Sequence, residues 1–338
     1  MKVLIKTFFI LLLLIFSVGA SVIFFMNKQT GNIPVTGVEF EIKRGDSSHS
    51  IAKKLYQNGY INSEIFFVIL TKVLRLDSKI KSGWLLLESD SSTMDILKKI
   101  VSGKFITVSF TIPEGSTVAQ IKNILIKNKV VPKEDIEEFL SLPNYPVLIG
   151  LPSGYKTAEG FLFPETYKVF KGSSVESVFK TMVNLFYNKV ESIYPDYKNL
   201  SKKDFYRKIV LASIIEREVK NPEEAAIVAG VFENRIKKNM KLQSCATVQY
   251  ILDKPKERLL ENDLLIDNPY NTYLYLGLPP TPISAAGLNS LRASFYPESH
   301  NYLFFVVKDP ERGTHHFSQT YEEHLLAQKK YKAIKGFY

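Results

Sequence analysis

One segment of the sequence places a carboxyl group in the middle of an apolar helical pattern. Residues 203–219 have the spacing of an amphipathic helix, and one stripe at 100° per residue collects Phe205, Ile209, Ala212, Glu216 and Val219. A carboxyl group on a core-facing stripe costs free energy unless it is paired, protonated or facing a cleft. Because desolvation favours the protonated form, such a group is suited to work as a general acid.

Helix geometry alone leaves two interpretations of Glu216 open. The residue is either a general acid at a cleft or a buried structural carboxylate tied to an arginine. Glu218 falls on the other side of the same helix, near Arg207. We therefore expect Glu218 to be an ordinary paired acid at the surface.

Three loops further along the chain are rich in amide and aromatic side chains. They are Leu242–Thr247, Asn268–Tyr273 and Gly277–Pro282. Amides can bridge sugar hydroxyls, and aromatic rings can stack on the apolar faces of sugar rings. The alternative is plain turn structure, which Asn-Pro and Pro-Pro pairs favour.

Several other chemistries lack the residues they need. The sequence contains no phosphate-binding loop of Walker or dinucleotide type and no Gly-x-Ser-x-Gly elbow. Cys245 is the single cysteine, and His315, His316 and His324 lack a recognised metal-ligand spacing. We therefore expect neither a metal nor a cofactor.

The N-terminal segment predicts on which side of a membrane these residues lie. From Thr7 to Met26 no residue is charged, and about 20 apolar residues of helix cross a hydrocarbon core of roughly 30 Å. Lys2 and Lys6 precede the run, which predicts a cytoplasmic N-terminus and an extracytoplasmic remainder. The alternative is a cleaved signal peptide, since Val18-Gly19-Ala20 resembles a cleavage site.

Composition limits the partners of the chain. The 338 residues carry a formal charge of +10 that is spread along the whole sequence, which suits an acidic surface such as anionic lipid or wall polymer. No basic stripe with interleaved aromatic residues stands out, so we expect no nucleic-acid partner. A single cysteine excludes an intramolecular disulfide, and the domains must rely on their own cores.

A weak internal repeat precedes the carboxyl-bearing helix. With a shift of 70 residues, one set falls on another: Gly45, Ile51, Leu55, Asn58, Ile61 and Glu64 on Gly115, Ile121, Leu125, Asn128, Val131 and Glu134. Both copies read as a strand, a turn, a helix with an asparagine stop and a second short helix. The repeat is either a ligand-binding module or a packing module without a ligand.

Seven segments of the chain together match the pattern of a known family: Glu159–Tyr167, Leu211–Glu218, Val231–Arg235, Leu242–Ser244, Tyr270–Tyr273, Gly277–Pro280 and His316–Ser318. In these segments the sequence resembles the endolytic murein transglycosylases (MltG or YceG-like). The resemblance implies an α+β fold with a cytoplasmic tip and transmembrane helix (1–28), a linker (29–37), a LysM-like α/β region (38–145) and a catalytic domain (146–338).

The resemblance also implies an activity and its residues. A lyase of this family cuts the bond from N-acetylmuramic acid (MurNAc) to N-acetylglucosamine (GlcNAc) within peptidoglycan strands and leaves a 1,6-anhydro end. Glu216 would be the acid–base catalyst, and the sugar contacts would come from Gln243, Asn271, Tyr273, Asn234 and Glu165. Nascent strands would be terminated or trimmed at the cytoplasmic membrane, with peptidoglycan synthases as further partners.

Two features bear on that expectation. The motif helix offers no obvious second catalytic acid, which agrees with a lytic reaction and not with a two-carboxylate glycosidase. Cys245-Ala246 stands where the family usually has Asp-Pro, and Glu165 stands where it usually has Asp. A hydrolytic muramidase and a non-catalytic wall-binding scaffold remain the alternatives.

Overall fold

The computed structural model describes residues 2–252, 254 and 256–332. These residues form a mixed α+β structure with an apolar N-terminal helix, as predicted for the fold class. They divide into two compact units. The first unit contains the residues up to Val108 together with Lys168–Gly172, and the second contains Ser109–Tyr167 and the residues from Ser173 onward.

The first unit begins with the apolar helix and continues with a two-stranded antiparallel sheet packed on helices. Its elements are α1 (Lys2–Asn27), β1 (Val38–Ile42), α2 (Ser48–Gln57), α3 (Glu64–Val73), β2 (Gly83–Leu87) and α4 (Thr93–Ser102). Phe40 pairs with Leu85 across the sheet, and both side chains belong to the buried core that Ile51, Leu55 and Phe67 complete. Because β1 alternates, Phe40 and Ile42 share the buried face.

Helix α1 is exposed along its apolar length. Within the described residues, Ile5–Asn27 is the segment long and apolar enough to cross a membrane. At about 1.5 Å per residue it spans roughly 35 Å, which exceeds a hydrocarbon core of about 30 Å. An anchor and a signal sequence both have this form.

The second unit is mostly helical. Strands β3 (Thr107–Thr111) and β4 (Thr166–Phe170) cross the boundary between the units. Its other elements are α5 (Val118–Lys127), α6 (Lys133–Ser141), α7 (Tyr145–Leu148), α8 (Val175–Ile193), α9 (Lys202–Glu218), α10 (Ala225–Lys237), α11 (Cys245–Ile251), α12 (Leu288–Phe295), β5 (Phe304–Asp309), β6 (Thr314–Ser318) and α13 (Tyr321–Lys332). A core around α9, α10 and α12 includes Leu211, Phe232 and Ala293.

The internal repeat is confirmed as a repeated local structure. Helices α2 and α5 begin 70 residues apart, and Ser47 and Thr117 cap them by accepting from the backbone N–H three residues further on. At the other end, the amides of Asn58 and Asn128 each donate to the carbonyl four residues back. The copies belong to different compact units. Their LysM-like character and the domain boundary at 145/146 remain predictions.

Candidate active site

Helix α9 carries Glu216 at its C-terminal end. The Ser201 hydroxyl caps the helix by accepting from the backbone N–H of Asp204 over 3.1 Å. The predicted apolar stripe is confirmed, since Phe205, Ile209 and Ala212 are buried. Burial extends further than predicted, because every residue from 209 to 215 is buried. The middle of the helix is therefore surrounded by protein, and Glu216 directly follows this buried stretch.

Glu216 is partly exposed and is oriented by one backbone donor. Its Oε2 accepts a hydrogen bond of 2.9 Å from the N–H of Gly287, which is the N-cap residue of α12. This hydrogen bond fixes the direction of the Glu216 carboxyl group at the start of α12. In the described part of the chain, Oε1 has no hydrogen-bond partner and remains available to a ligand.

The segment before α12 is held in place by α9. The Ser213 hydroxyl accepts the N–H of Ile283 over 3.0 Å, and the carbonyl of Ser213 accepts the hydroxyl of Ser284 over 3.1 Å. All three residues are buried, where an unpaired polar group would be costly. These bonds fix the path of the chain toward Gly287 and thus the donor to Glu216.

A second carboxyl group lies beside Glu216. Glu114 belongs to the turn between β3 and α5, and its carboxyl group packs directly on Gly287. Partial burial raises the pKa of the Glu114 carboxyl, and the charge of Glu216 adds to that rise. The sequence interpretation missed this residue. The one available signal was the turn itself, which carries an acid where the first repeat copy has Arg44.

A cleft of about 400 Å³ opens in the second unit, and its wall includes the neighbour of Glu216. Its polar lining comes from α5, α9 and α11 and includes Thr117, Gln120, Asn123, Arg217, Gln249 and Tyr250. Arg217 donates to the carbonyl of Gly115 over 3.2 Å. Amide, hydroxyl and guanidinium groups of this kind suit a polar ligand rich in hydroxyl and carbonyl groups.

Glu159 is a buried acid at the wall of the same cleft. It is 4% exposed, and its two oxygens accept the N–H of Val118 over 3.1 and 3.2 Å. The hydroxyl of Tyr250 lies 3.3 Å from Oε2. Burial raises the pKa of this carboxyl to about 7, against the lowering effect of these donors. Glu159 lies in one of the segments that carry the family resemblance, but its residue type and spacing predicted no role for it.

Two of the predicted loops are joined by hydrogen bonds. The N–H of Gln243 donates to the carbonyl of Thr272, and the N–H of Ser244 donates to the Thr272 hydroxyl, both over 3.0 Å. Arg235 supports the first loop by donating to the carbonyl of Leu242 over 2.9 Å. Gln243 has a φ of +51°, a left-handed conformation that costs a non-glycine residue about 1 kcal/mol or more.

The family match is decided by comparison with known proteins. Residues 40–330 match the model of the YceG-like family. The chain belongs to the YceG-like family. It is 33% identical over 315 residues to a Bacillus subtilis (strain 168) protein named endolytic murein transglycosylase. The aligned region covers 89% of this chain and 86% of that protein.

Two further relatives extend the comparison. A Streptococcus pneumoniae (strain R6) protein of the same name is 28% identical over 319 residues, or 84% of this chain. The chain spans 56% of the length of that relative. The crystal structure of a yceG-like protein from Listeria monocytogenes superposes with a TM-score of 0.56 and 32% identity, covering 87% of this chain and 99% of that one.

In this YceG-like chain the expectation for Glu218 was wrong. Its carboxyl group is partly buried and accepts the hydroxyl of Ser244 and, over 3.5 Å, the N–H of Ala246. Arg207 binds Glu233 instead, with one bond of 2.9 Å. Desolvation raises the pKa of Glu218, against the lowering effect of its bonds to Ser244 and Ala246. Glu218 connects α9 to the loop that carries Gln243.

The predicted sugar-binding residues of this YceG-like chain occupy different settings. Gln243 is exposed, and Tyr273 places its hydroxyl 3.1 Å from the Cys245 thiol, so both border the joined loops. Asn271 is fully buried and donates to two backbone carbonyls. Asn234 likewise donates to the carbonyls of His300 and Tyr302.

Glu165 lies in another setting again. Its carboxyl group is exposed at the start of β4, accepts the N–H of Thr166 over 3.0 Å and lies 3.9 Å from Lys189. These contacts do not connect it to Glu216 or Gln243. A role in sugar binding for Glu165, Asn234 and Asn271 remains a prediction without a structural contact behind it.

Proposed function

We propose that this chain is an endolytic lytic transglycosylase that cuts the MurNAc–GlcNAc bond within peptidoglycan strands. The observation that carries the proposal is the setting of Glu216. One of its oxygens accepts the N–H of Gly287, the other has no hydrogen-bond partner among the described residues, and this YceG-like chain has relatives named for this activity. The enzyme is therefore a lyase whose substrate is the glycan strand.

One carboxyl group can carry both halves of the reaction. Protonated Glu216 first gives its proton to the glycosidic oxygen, and the C1–O bond breaks with its electron pair leaving on that oxygen. The sugar passes through a state with oxocarbenium character. Ionised Glu216 then takes the proton of the sugar's own C6 hydroxyl, and O6 bonds to C1. The proton returns to Glu216, and no water is consumed.

Glu114 gives the hydrolytic alternative a specific observation. The sequence predicted no second catalytic acid on α9. The turn before α5, however, brings Glu114 to the same Gly287 that orients Glu216. Two neighbouring carboxyl groups are what a hydrolytic glycosidase uses. A hydrolytic muramidase is therefore the second candidate function.

The two reactions differ in the fate of water. Purified full-length protein in detergent is incubated with isolated glycan strands in water labelled with oxygen-18, and the products are analysed by mass spectrometry. A lytic reaction gives 1,6-anhydro ends without label. Labelled reducing ends in place of anhydro ends would contradict the lytic proposal and support hydrolysis. No cleavage at all would leave the wall-binding scaffold.

Membrane placement is part of the same proposal. Helix α1 would span the cytoplasmic membrane with its N-terminus inside, and the residues after Asn27 would lie outside. Support comes from the length and exposed apolar surface of Ile5–Asn27 and from Lys2 and Lys6 on its N-terminal side. This placement would put Glu216 on the extracytoplasmic side of the membrane, where it would act on nascent strands.

A further inference from the structure

We propose that Glu114 is a positioning residue of the catalytic centre, supplied by the turn of the second repeat copy and acting through Glu216 and Gly287. The inference rests on the proposed function. It assigns the second copy a part in catalysis that is separate from any binding of glycan. Glu114 contributes negative charge beside the acid that starts the reaction.

The turn that carries Glu114 is clamped from two sides. The N–H of Gly115 donates to the carbonyl of Ala285, and the N–H of Ala285 donates to the carbonyl of Ser116, both over 2.8 Å. On the other side, the guanidinium of Arg217 donates to the carbonyl of Gly115 over 3.2 Å. The same two elements that define the Glu216 site therefore hold this turn.

Gly287 carries the strongest sign of a built contact. A Cβ at this position would lie 1.9 Å from Oε1 of Glu114 and 2.4 Å from its Cδ, so no side chain fits while Glu114 stays in place. The backbone of Gly287 has φ −74° and ψ 178°, which any residue can adopt. A side chain at position 287 would therefore displace the carboxyl group of Glu114, although the backbone conformation would accept any residue.

The equivalent turn in the first repeat copy has different surroundings and a different residue. Its equivalent glycine, Gly45, has open space around the Cβ position, whereas a Cβ on Gly115 would touch the Cδ of Arg217 at 3.4 Å. Arg44 stands at the position equivalent to Glu114, so the two copies carry opposite charges there. The turn of the first copy therefore has open space at Gly45, whereas the turn of the second copy places Glu114 against Gly287.

The charges around Glu114 define its chemical effect. Glu216 and Arg217 face the turn from α9, and Gly287 contributes a backbone N–H at the start of α12. Two carboxylates near one helix end repel when both are ionised, so the charge of Glu114 opposes the loss of a proton from the acid beside it. Cleavage begins from the protonated acid, and Glu114 therefore extends the pH range in which the enzyme works.

Glu114→Gln tests the inference because it keeps the shape and removes the charge. The pH profile of kcat is measured on glycan strands for the wild type, Glu114→Gln and Glu138→Gln, the last being an exposed acid on α6. We expect the alkaline limb of Glu114→Gln to move to lower pH by about one pH unit, with Glu138→Gln matching the wild type. A superimposable profile, or a uniform loss without a shift, would overturn the inference.

A second variant pair tests the contact itself. Gly287→Ala alone should lower activity at least about tenfold, because the new methyl group displaces Glu114 and disturbs the donor to Glu216. In a Glu114→Ala background the space is vacated, and adding Gly287→Ala should cost little further activity. Equal losses in both backgrounds would contradict the contact.

The outcomes also separate this inference from the proposed function. A wild type that releases no product at any pH overturns the proposed function and this inference with it. An active wild type whose profile is unchanged by Glu114→Gln overturns this inference alone.

Discussion

The backbone N–H of Gly287 lies 2.9 Å from Oε2 of Glu216, although 71 residues separate the two in sequence. The bond ties the end of α9 to the start of α12, and within the described residues Oε1 of Glu216 has no hydrogen-bond partner. Glu114 packs on the same glycine. Gly287 is therefore the point at which three separate segments of the chain build one acidic centre.

The single cysteine of the chain can report the membrane topology. Cys245 is exposed in the second unit, and the proposal places that unit outside the membrane. A membrane-impermeant maleimide added to intact cells at about pH 8 should label wild-type protein. Cys245→Ser is the control and should stay unlabelled. Neighbouring groups partly desolvate the sulfur of this exposed residue and raise the pKa of the thiol, so labelling should speed up as pH rises.

The same samples distinguish an anchor from a cleaved signal peptide. Labelled protein should sediment with membranes and retain the mass of the full chain. Labelling only after the cells are opened would contradict the topology. Soluble protein that has lost its first 20 to 27 residues would contradict the anchor.

Glu159 should make folding stability depend on pH. Its pKa is about 7 in the folded chain and 4.5 in its ordinary state. A raised folded pKa means stability that is full below about pH 4.5 and is lost as pH rises through about 7, by about 3 kcal/mol in total. Glu159→Gln removes this loss, so the variant should match the wild type at pH 5 and exceed its melting temperature at pH 8.

The control for this experiment is Glu138→Gln, which removes an exposed acid from the same unit. Its difference from the wild type should be small and similar at both pH values. A difference between Glu159→Gln and the wild type that stays constant from pH 5 to pH 8 would mean that Glu159 does not titrate in this range.

Arg235 should be irreplaceable by lysine. It is 7% exposed, and its guanidinium donates to the carbonyls of Leu303 over 2.7 Å, Leu242 over 2.9 Å and Lys241 over 3.0 Å. A lysine has one nitrogen and cannot reach all three, so buried carbonyls lose their donors. We expect Arg235→Lys to lower the free energy of unfolding by about 2 to 4 kcal/mol and to raise KM through the loop of Gln243.

The matched control is Arg312→Lys, because the side chain of Arg312 is 84% exposed. It should change the unfolding free energy by less than about 0.5 kcal/mol. Equal stability of Arg235→Lys and the wild type in urea unfolding would show that the loop does not depend on the guanidinium.

The repeat and its helix ends could be predicted from the sequence because their causes are local. Ser47 and Thr117 cap helices through bonds that reach three residues, and Asn58 and Asn128 reach four residues back. Such contacts depend on residue type and spacing alone.

The site could be predicted only in part, because its other contacts are long-range. Periodicity placed Glu216 on the apolar stripe of α9 but gave the wrong setting for Glu218, because the partners of Glu218 lie at the start of α11, far away in sequence. Glu114 and Gly287 meet across 173 positions of sequence, and no local pattern encodes that meeting. Asn271 looked like a sugar ligand by type, yet the fold uses both ends of its amide for backbone bonds.

Product analysis of Glu216→Gln tests the central claim most directly. The variant keeps the shape of the side chain and can still accept the Gly287 N–H, but it cannot donate and recover a proton. Wild type and Glu138→Gln should release glycan fragments with unlabelled 1,6-anhydro ends in oxygen-18 water, while Glu216→Gln should be slower by about 100-fold to 10,000-fold. Cleavage by Glu216→Gln at the wild-type rate, in a protein of unchanged melting temperature, would contradict the account.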